Sequence, residues 1–201
     1  MTIESTAKEA SLENLLKNIP EQMERLKAVR ETYLTDAVLL GEIPSPTFGE
    51  EDRIRLALDR FRENGLDDPE IDEFGNASGI LPGTEGGSSI LVTAHADSVF
   101  SVETRHVLNV GSDSITGPGI ADNAIGLAAV VGLPKLLDHL GVRLKDDLLL
   151  LANREFQSAF SELGLEKQMV REDWAADEDV ARLLQRVGLR NCMEIDEIVC
   201  V

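Results

Sequence analysis

The sequence predicts an α/β fold, with three α/β/α layers built on a mixed, largely parallel sheet. Three observations carry that expectation. Ile90-Leu-Val-Thr is β-rich and apolar on both faces, as a central strand must be. Leu148-Leu-Leu-Leu is a second continuous apolar run of strand length. Between them, residues 124–140 are apolar nearly all round, which marks a buried helix rather than a surface one. Strand, helix, strand in that order is the pattern of a parallel pair joined by a right-handed crossover.

The other elements follow in order. Leu12, Leu15, Leu16 and Ile19 fall at i, i+3, i+4 and i+7, one helical face that Pro20 should halt. Met23, Leu26, Val29, Arg30 and Tyr33 continue as a second, less regular helix. Thr47-Phe-Gly-Glu50 reads as a capping box opening a third helix with Ile54, Ala57, Leu58 and Phe61 on its core face. Gly65 is placed to end that helix in a left-handed conformation. Residues 70–74 alternate and residues 77–81 follow a Gly-Asn turn, so both are expected strands. Residues 83–87 read as a loop or hairpin, and residues 104–110 as a further strand before Gly111. Gly126 and Ala128 should let the buried helix approach the sheet closely, and Pro134 should kink or divide it. Beyond residue 153 the text changes character. Asp177-Glu-Asp179 introduces a helical face through Val180, Leu183, Leu184 and Val187, and residues 193–201 form a candidate closing strand. That tail should cover the edge of the strand at residues 148–151.

At 201 residues, with 43% hydrophobic and 28% charged residues, the composition is that of a soluble globular protein. A net charge of −18 argues against nucleic acid or an anionic membrane surface as partner. The first residues lack a basic start and an apolar core, and no run looks long enough to span a bilayer. Cys192 and Cys200 are not in a Cys-x-x-Cys frame and suit buried thiols in a reducing cytoplasm.

The chemistry concentrates in two motifs. His95-Ala-Asp97 stands at the end of the first apolar strand, and Gly117-Pro-Gly-Ile-Ala-Asp122-Asn123 is a glycine-rich turn at the mouth of the buried helix. An imidazole and a carboxylate at loop edges suit a divalent metal, zinc above all. On an extended backbone His95 and Asp97 point to the same side. The carboxylate can then accept from the far ring nitrogen and fix the tautomer that ligates. His95 and Asp122 are therefore the candidate metal ligands, with Asp97 as the orienting residue. The remaining candidates have plainer roles. His139 suits a helix C-terminus, His106 suits an exposed strand position, and Ser98 lacks the elbow of a nucleophilic serine.

Glu42-Ile-Pro-Ser-Pro-Thr-Phe-Gly-Glu50, Leu91-Val-Thr-Ala-His-Ala-Asp97 and Gly117-Pro-Gly-Ile-Ala-Asp-Asn-Ala-Ile-Gly-Leu127 together resemble the N-terminal half of metallopeptidase family 20. That family holds acetylornithine deacetylase, succinyl-diaminopimelate desuccinylase and tripeptide aminopeptidase. Metallopeptidase family 28 shares a similar Asp-Asn element and is the close alternative. The resemblance implies a co-catalytic site of two zinc ions. His95 would bind one, Asp122 would bridge both, and Asp97 would orient His95. It implies hydrolysis of peptide or N-acyl amide bonds, with a small peptide or N-acyl amino acid as substrate. After residues 147–153 the family places two adjacent glutamates, a general base and a ligand. Here Arg154-Glu155-Phe156-Gln157 offers a single glutamate. Glu155 is thus the nearest stand-in for a proton-transfer residue. The expected organisation is residues 1–153 as the N-terminal part of a zinc-peptidase-like catalytic domain, truncated, and residues 154–201 as a divergent helical tail with a closing strand. A site with fewer than two zincs, a non-catalytic remnant or interaction module, and a homodimer through an uncovered sheet edge all remain open.

Overall fold

One continuous helix, α1 (Ile3–Glu42, 40 residues), opens the chain in a computed structural model that describes residues 3–85, 89–154 and 195–200. The expected break at Pro20 does not occur; the proline lies inside α1. Pro20 is exposed, and a proline there removes one backbone amide without ending the helix. Leu26 and Val29 of the expected face are half-buried, while Met23 and Arg30 are exposed. Asp36, Ala37, Leu40 and Gly41 are buried and Tyr33 is half-buried. The stripe is hard to read because Asp36 interrupts it, neutralised by Arg60 at 2.7 Å.

Helix α2 (Glu51–Glu63) buries Ile54, Ala57, Leu58 and Phe61 as the sequence predicts. Glu51 and Asp52 in its first turn and Arg60 and Arg62 in its last suit the helix dipole. Gly65, with φ +68°, follows Asn64 at its end and donates to the Arg62 carbonyl at 3.0 Å. The capping box is a misreading. It needs Thr47 at the cap position, whereas the helix begins only at Glu51 and no side chain caps it. The Glu50 carboxylate instead accepts the Phe48 amide at 2.7 Å.

The strands, in chain order, are β1 (Asp67–Ile71), β2 (Ala77–Leu81), β3 (Ser89–His95), β4 (Asn109–Val110), β5 (Ile115–Thr116), β6 (Asp147–Asn153) and β7 (Ile195–Cys200), with helix α3 (Ile125–Leu140) between β5 and β6. The main sheet runs β1-β2-β6-β3-β7. Its β1–β2 and β2–β6 pairings are antiparallel; β6–β3 and β3–β7 are parallel. It is the mixed sheet expected, with β3 and β6 inside it. The β1 strand sits earlier than residues 70–74, because the Asp72 carboxylate accepts the Phe74 and Asn76 amides and turns the chain there. Residues 104–108 are not a strand. Only Asn109 and Val110 pair, with Thr116 and Ile115, in a separate two-stranded ribbon. His106, expected on the surface, is buried, its Nε2 on the Ser101 carbonyl at 2.9 Å.

Helix α3 passes through Pro134 as a single helix and ends at Gly141 (φ +68°), with His139 in its last turn. Leu127, Val130 and Val131 from α3, Phe61 and Ile54 from α2, Leu40 from α1 and Leu148 and Leu150 from β6 share one core cluster. Two glycines of α3 make room for other contacts than the sheet. A Cβ on Gly132 would stand 2.8 Å from the Tyr33 ring, so α1 seats there. A Cβ on Gly126 would meet the Asn123 side chain at 2.1 Å. The 21 residues Ile120–Leu140 are, against the sequence reading, long and apolar enough to cross a bilayer. The most apolar stretch of this segment is 56% buried, and α3 packs against α1, β3 and β6. Leu91, Thr93, Leu151 and Asn153, on the opposite face of β3 and β6, are buried as well. Both faces of the central strands are covered, as a layered α/β fold requires.

The tail covers a different edge from the one expected. Strand β6 already has β2 on one side and β3 on the other, and β7 pairs with β3, from Ser89↔Ile195 to Thr93↔Cys200. The helix read over residues 177–187 lies outside the described residues.

Candidate metal centre

His95 is the final residue of β3, paired with Asn153 at the end of β6. Parallel strands leave their C-terminal ends free to present side chains, and ligands gather there in such sheets. The Asp122 turn arrives at the same place. Gly119 (φ +72°) begins it, and a Cβ there would stand 3.2 Å from the Ser98 hydroxyl. Asp122 and Asn123, joined by a cis peptide bond, take non-helical backbone angles before α3 begins. The glycine therefore lets the turn lie against the loop that follows His95.

The three residues singled out in the sequence meet. His95 Nδ1 lies 3.0 Å from Asp97 Oδ1, and His95 Nε2 lies 3.1 Å from Asp122 Oδ1. An ionised carboxylate can only accept, so the Nδ1 proton goes to Asp97. The Nε2 lone pair then faces a second carboxylate. That opposition is unfavourable without a positive centre between them, either a proton on Nε2 or a shared metal ion. Ligands 2.0–2.2 Å from an ion and 3.1 Å from each other subtend about 90–100°, an angle that a shared ion can accept. One imidazole nitrogen and one carboxylate oxygen are donors that a divalent ion takes. Among the described residues, no group of three or more His, Cys, Asp or Glu side chains is arranged to hold a metal. Glu155 lies outside the described residues.

Electrostatics follow from burial and neighbours. Burial works to lower the His95 pKa, but the hydrogen bond and charge of Asp97 and the charge of Asp122 outweigh it and hold it above the ordinary imidazole value. Burial works to raise the Asp97 pKa. The His95 hydrogen bond and charge, with Thr47 behind them, hold it below the usual carboxylate range. Asp122 is the open partner, its side chain 62% exposed against 16% for His95.

Several supporting residues had other readings or none. Thr47 Oγ1 donates to Asp97 Oδ2 at 3.0 Å. Arg53, only 1% exposed, donates to the Ala96 carbonyl at 2.8 Å and the Ile43 carbonyl at 2.7 Å. Burial pulls that guanidinium down to about 10, against the charges of Asp97 and Glu50. Ser45 Oγ donates to the same Ala96 carbonyl at 2.8 Å. Arg154 Nε meets the buried Glu50 at 2.9 Å, and its Nη2 reaches Glu51 at 2.7 Å and the Phe48 carbonyl at 3.1 Å. Apart from the Arg53–Ile43 bond, these contacts join segments about 40 to 100 residues apart, so no local pattern announces them.

Residues 76–155 match the family model of peptidase family M28. Curated protein sequences give no match. Solved structures do. The di-peptidase Dug1p of Saccharomyces cerevisiae superposes with a TM-score of 0.60 at 12% identity, over 71% of this chain and 36% of its own. The aminopeptidase PepT of Bacillus cereus gives 0.55 at 19%, over 65% and 38%. The YxeP protein of Bacillus subtilis, a dinuclear metal-binding peptidase of the M20 family, gives 0.52 at 17%, over 82% and 41%. The chain shares the α/β fold of these peptidases and spans less than half the length of each.

Proposed function

We propose that this chain carries part of a metal-dependent hydrolase of peptide or N-acyl amide bonds, with a short peptide or N-acyl amino acid as substrate. The observation that carries the reading is His95 Nε2 set 3.1 Å from the Asp122 carboxylate while Asp97 occupies the other ring nitrogen. The M28 match over residues 76–155 supports it, since that stretch contains all three residues. We favour metallopeptidase family 20 as the lineage, on the residues 42–50 motif and the likeness to YxeP. Family 28 stands beside it on the matched model.

When bound, a divalent ion supplies Lewis acidity toward the scissile carbonyl and toward a water nucleophile. His95 would hold it through Nε2. Asp97 keeps the proton on Nδ1, so that Nε2 remains the donor. Asp122, the most exposed of the three, would share in holding the metal. Proton transfer falls to Glu155, next in sequence to the clamped Arg154.

The test is hydrolysis of short peptides and N-acyl amino acids with added zinc, wild type against His95→Ala. Activity should be lost in the variant; equal rates in both proteins would remove the reading. A second reading, a non-catalytic interaction module of the same lineage, is favoured by the two-ligand centre among the described residues. A catalytic zinc usually has about three protein ligands. Metal analysis of the purified protein separates the two, because two tightly held zincs per chain exclude the module.

A further inference from the structure

We infer that Thr47 is a positioning residue for the metal centre: its hydroxyl fixes the second oxygen of Asp97, and through it the tautomer and ring plane of His95. The inference rests on the hydrolase reading above. Asp97 has one oxygen on His95 Nδ1 at 3.0 Å and the other on Thr47 Oγ1 at 3.0 Å. A carboxylate held at one oxygen can rotate about its own bond; held at both, it has one plane. The ring it orients inherits that plane, and Nε2 is thereby aimed at Asp122 Oδ1.

The segment bearing Thr47 is fixed without help from the hydroxyl. Pro46 and Ser98 form a parallel bridge, and the Ser98 amide donates to the Ser45 carbonyl at 2.7 Å. Ser45 and Arg53 both hold the Ala96 carbonyl, and Arg53 also holds that of Ile43. Thr47 itself is exposed, so its side chain adds little to the core. Its oxygen is not spent on capping α2, whose start has no side-chain cap. Immediately after it, Phe48 adopts φ +70°, a left-handed conformation disfavoured for a residue with a Cβ. The backbone thus turns toward α2 while leaving the hydroxyl on Asp97. What remains for that hydroxyl is orientation of the centre.

Two variants of the full chain test this, Thr47→Val, which keeps the shape and removes the hydroxyl, and Thr47→Ser, which keeps the hydroxyl. Three quantities are read: zinc affinity by competition with a chromogenic chelator, the imidazole ¹⁵N shifts of His95 in metal-free protein, and the thermal midpoint. Thr47→Val should bind zinc roughly ten-fold more weakly. Its His95 should move toward a mixture of tautomers, with the thermal midpoint unchanged. Thr47→Ser should restore both affinity and tautomer. Wild-type affinity and tautomer in Thr47→Val would overturn the inference, as would a Thr47→Ser protein that fails like the valine variant. His95→Ala serves as the control. If it holds zinc as tightly as wild type, the metal-centre reading falls, while the ¹⁵N shifts still judge Thr47 separately.

Discussion

Phe48 is the residue where local preference and observed conformation disagree most. Its φ of +70° belongs to the region that glycine occupies freely, and its ring is 68% exposed. A left-handed conformation costs an ordinary residue about 1–2 kcal/mol, and an exposed ring returns little of that by burial. What holds it there is backbone bonding on both sides: its amide on Glu50 at 2.7 Å and its carbonyl under Arg154 at 3.1 Å. Phe48→Gly removes the steric cost but widens the unfolded ensemble, which gives back roughly 0.4–1 kcal/mol. The net expectation is a protein up to about 1 kcal/mol more stable in urea unfolding. A loss of stability would mean that the ring makes contacts its exposure conceals.

Among the elements, the α1–α3 contact is the most sharply dimensioned. Gly132 leaves room for the Tyr33 ring, whose nearest atoms would lie 2.8–3.2 Å from an added Cβ. Tyr33 is pinned by its surroundings, with burial and then the nearby Asp36 charge pushing its phenol up to about 12. Gly132→Ala should therefore cost about 1–3 kcal/mol as overpacking, measured as a fall in the unfolding midpoint. A neutral result would show that the long helix slides without penalty. Elements of this kind were unevenly legible in the sequence. The strands at β3 and β6 and the helix between them could be read, because burial on both faces leaves an uninterrupted apolar run. The α1 face could not, because its buried positions include Asp36 and Gly41 and its helix runs on through a proline. His95, Asp97 and Asp122 were legible as a site because strand parity and a glycine turn fix their direction locally. Thr47, Arg53 and Arg154 were not, since their partners lie far along the chain and a capping box explained Thr47 equally well from sequence.

For the molecule as a whole, Glu50 couples stability to pH. It is completely buried. Burial raises its pKa, and the Arg154 hydrogen bond and charge and the Phe48 amide only partly offset this. A carboxyl whose folded pKa exceeds its unfolded value favours the fold while protonated. Its contribution is complete below the unfolded value and is lost as pH rises through the folded one. Glu50→Gln cannot titrate. The stability of wild type relative to this variant should therefore improve as pH falls through the carboxylate range. Thermal midpoints of both proteins across that range give the measurement, and parallel curves would show that Glu50 does not titrate differently on folding. The ion pair with Arg154 ties α2 to the end of β6, so the same variant should loosen the chain just before Glu155.

The sheet order has a consequence for how the protein is made. Strand β3 takes one neighbour from β6 and the other from β7, and the first pairing with β7 joins Ser89 to Ile195. On a ribosome adding about 5–20 residues per second, roughly 5–20 s pass between the appearance of one partner and the other. Throughout that interval an apolar strand offers an unpaired backbone edge to whatever lies nearby. The nascent chain thus spends its most vulnerable seconds with the strand that carries His95 open to the wrong partner.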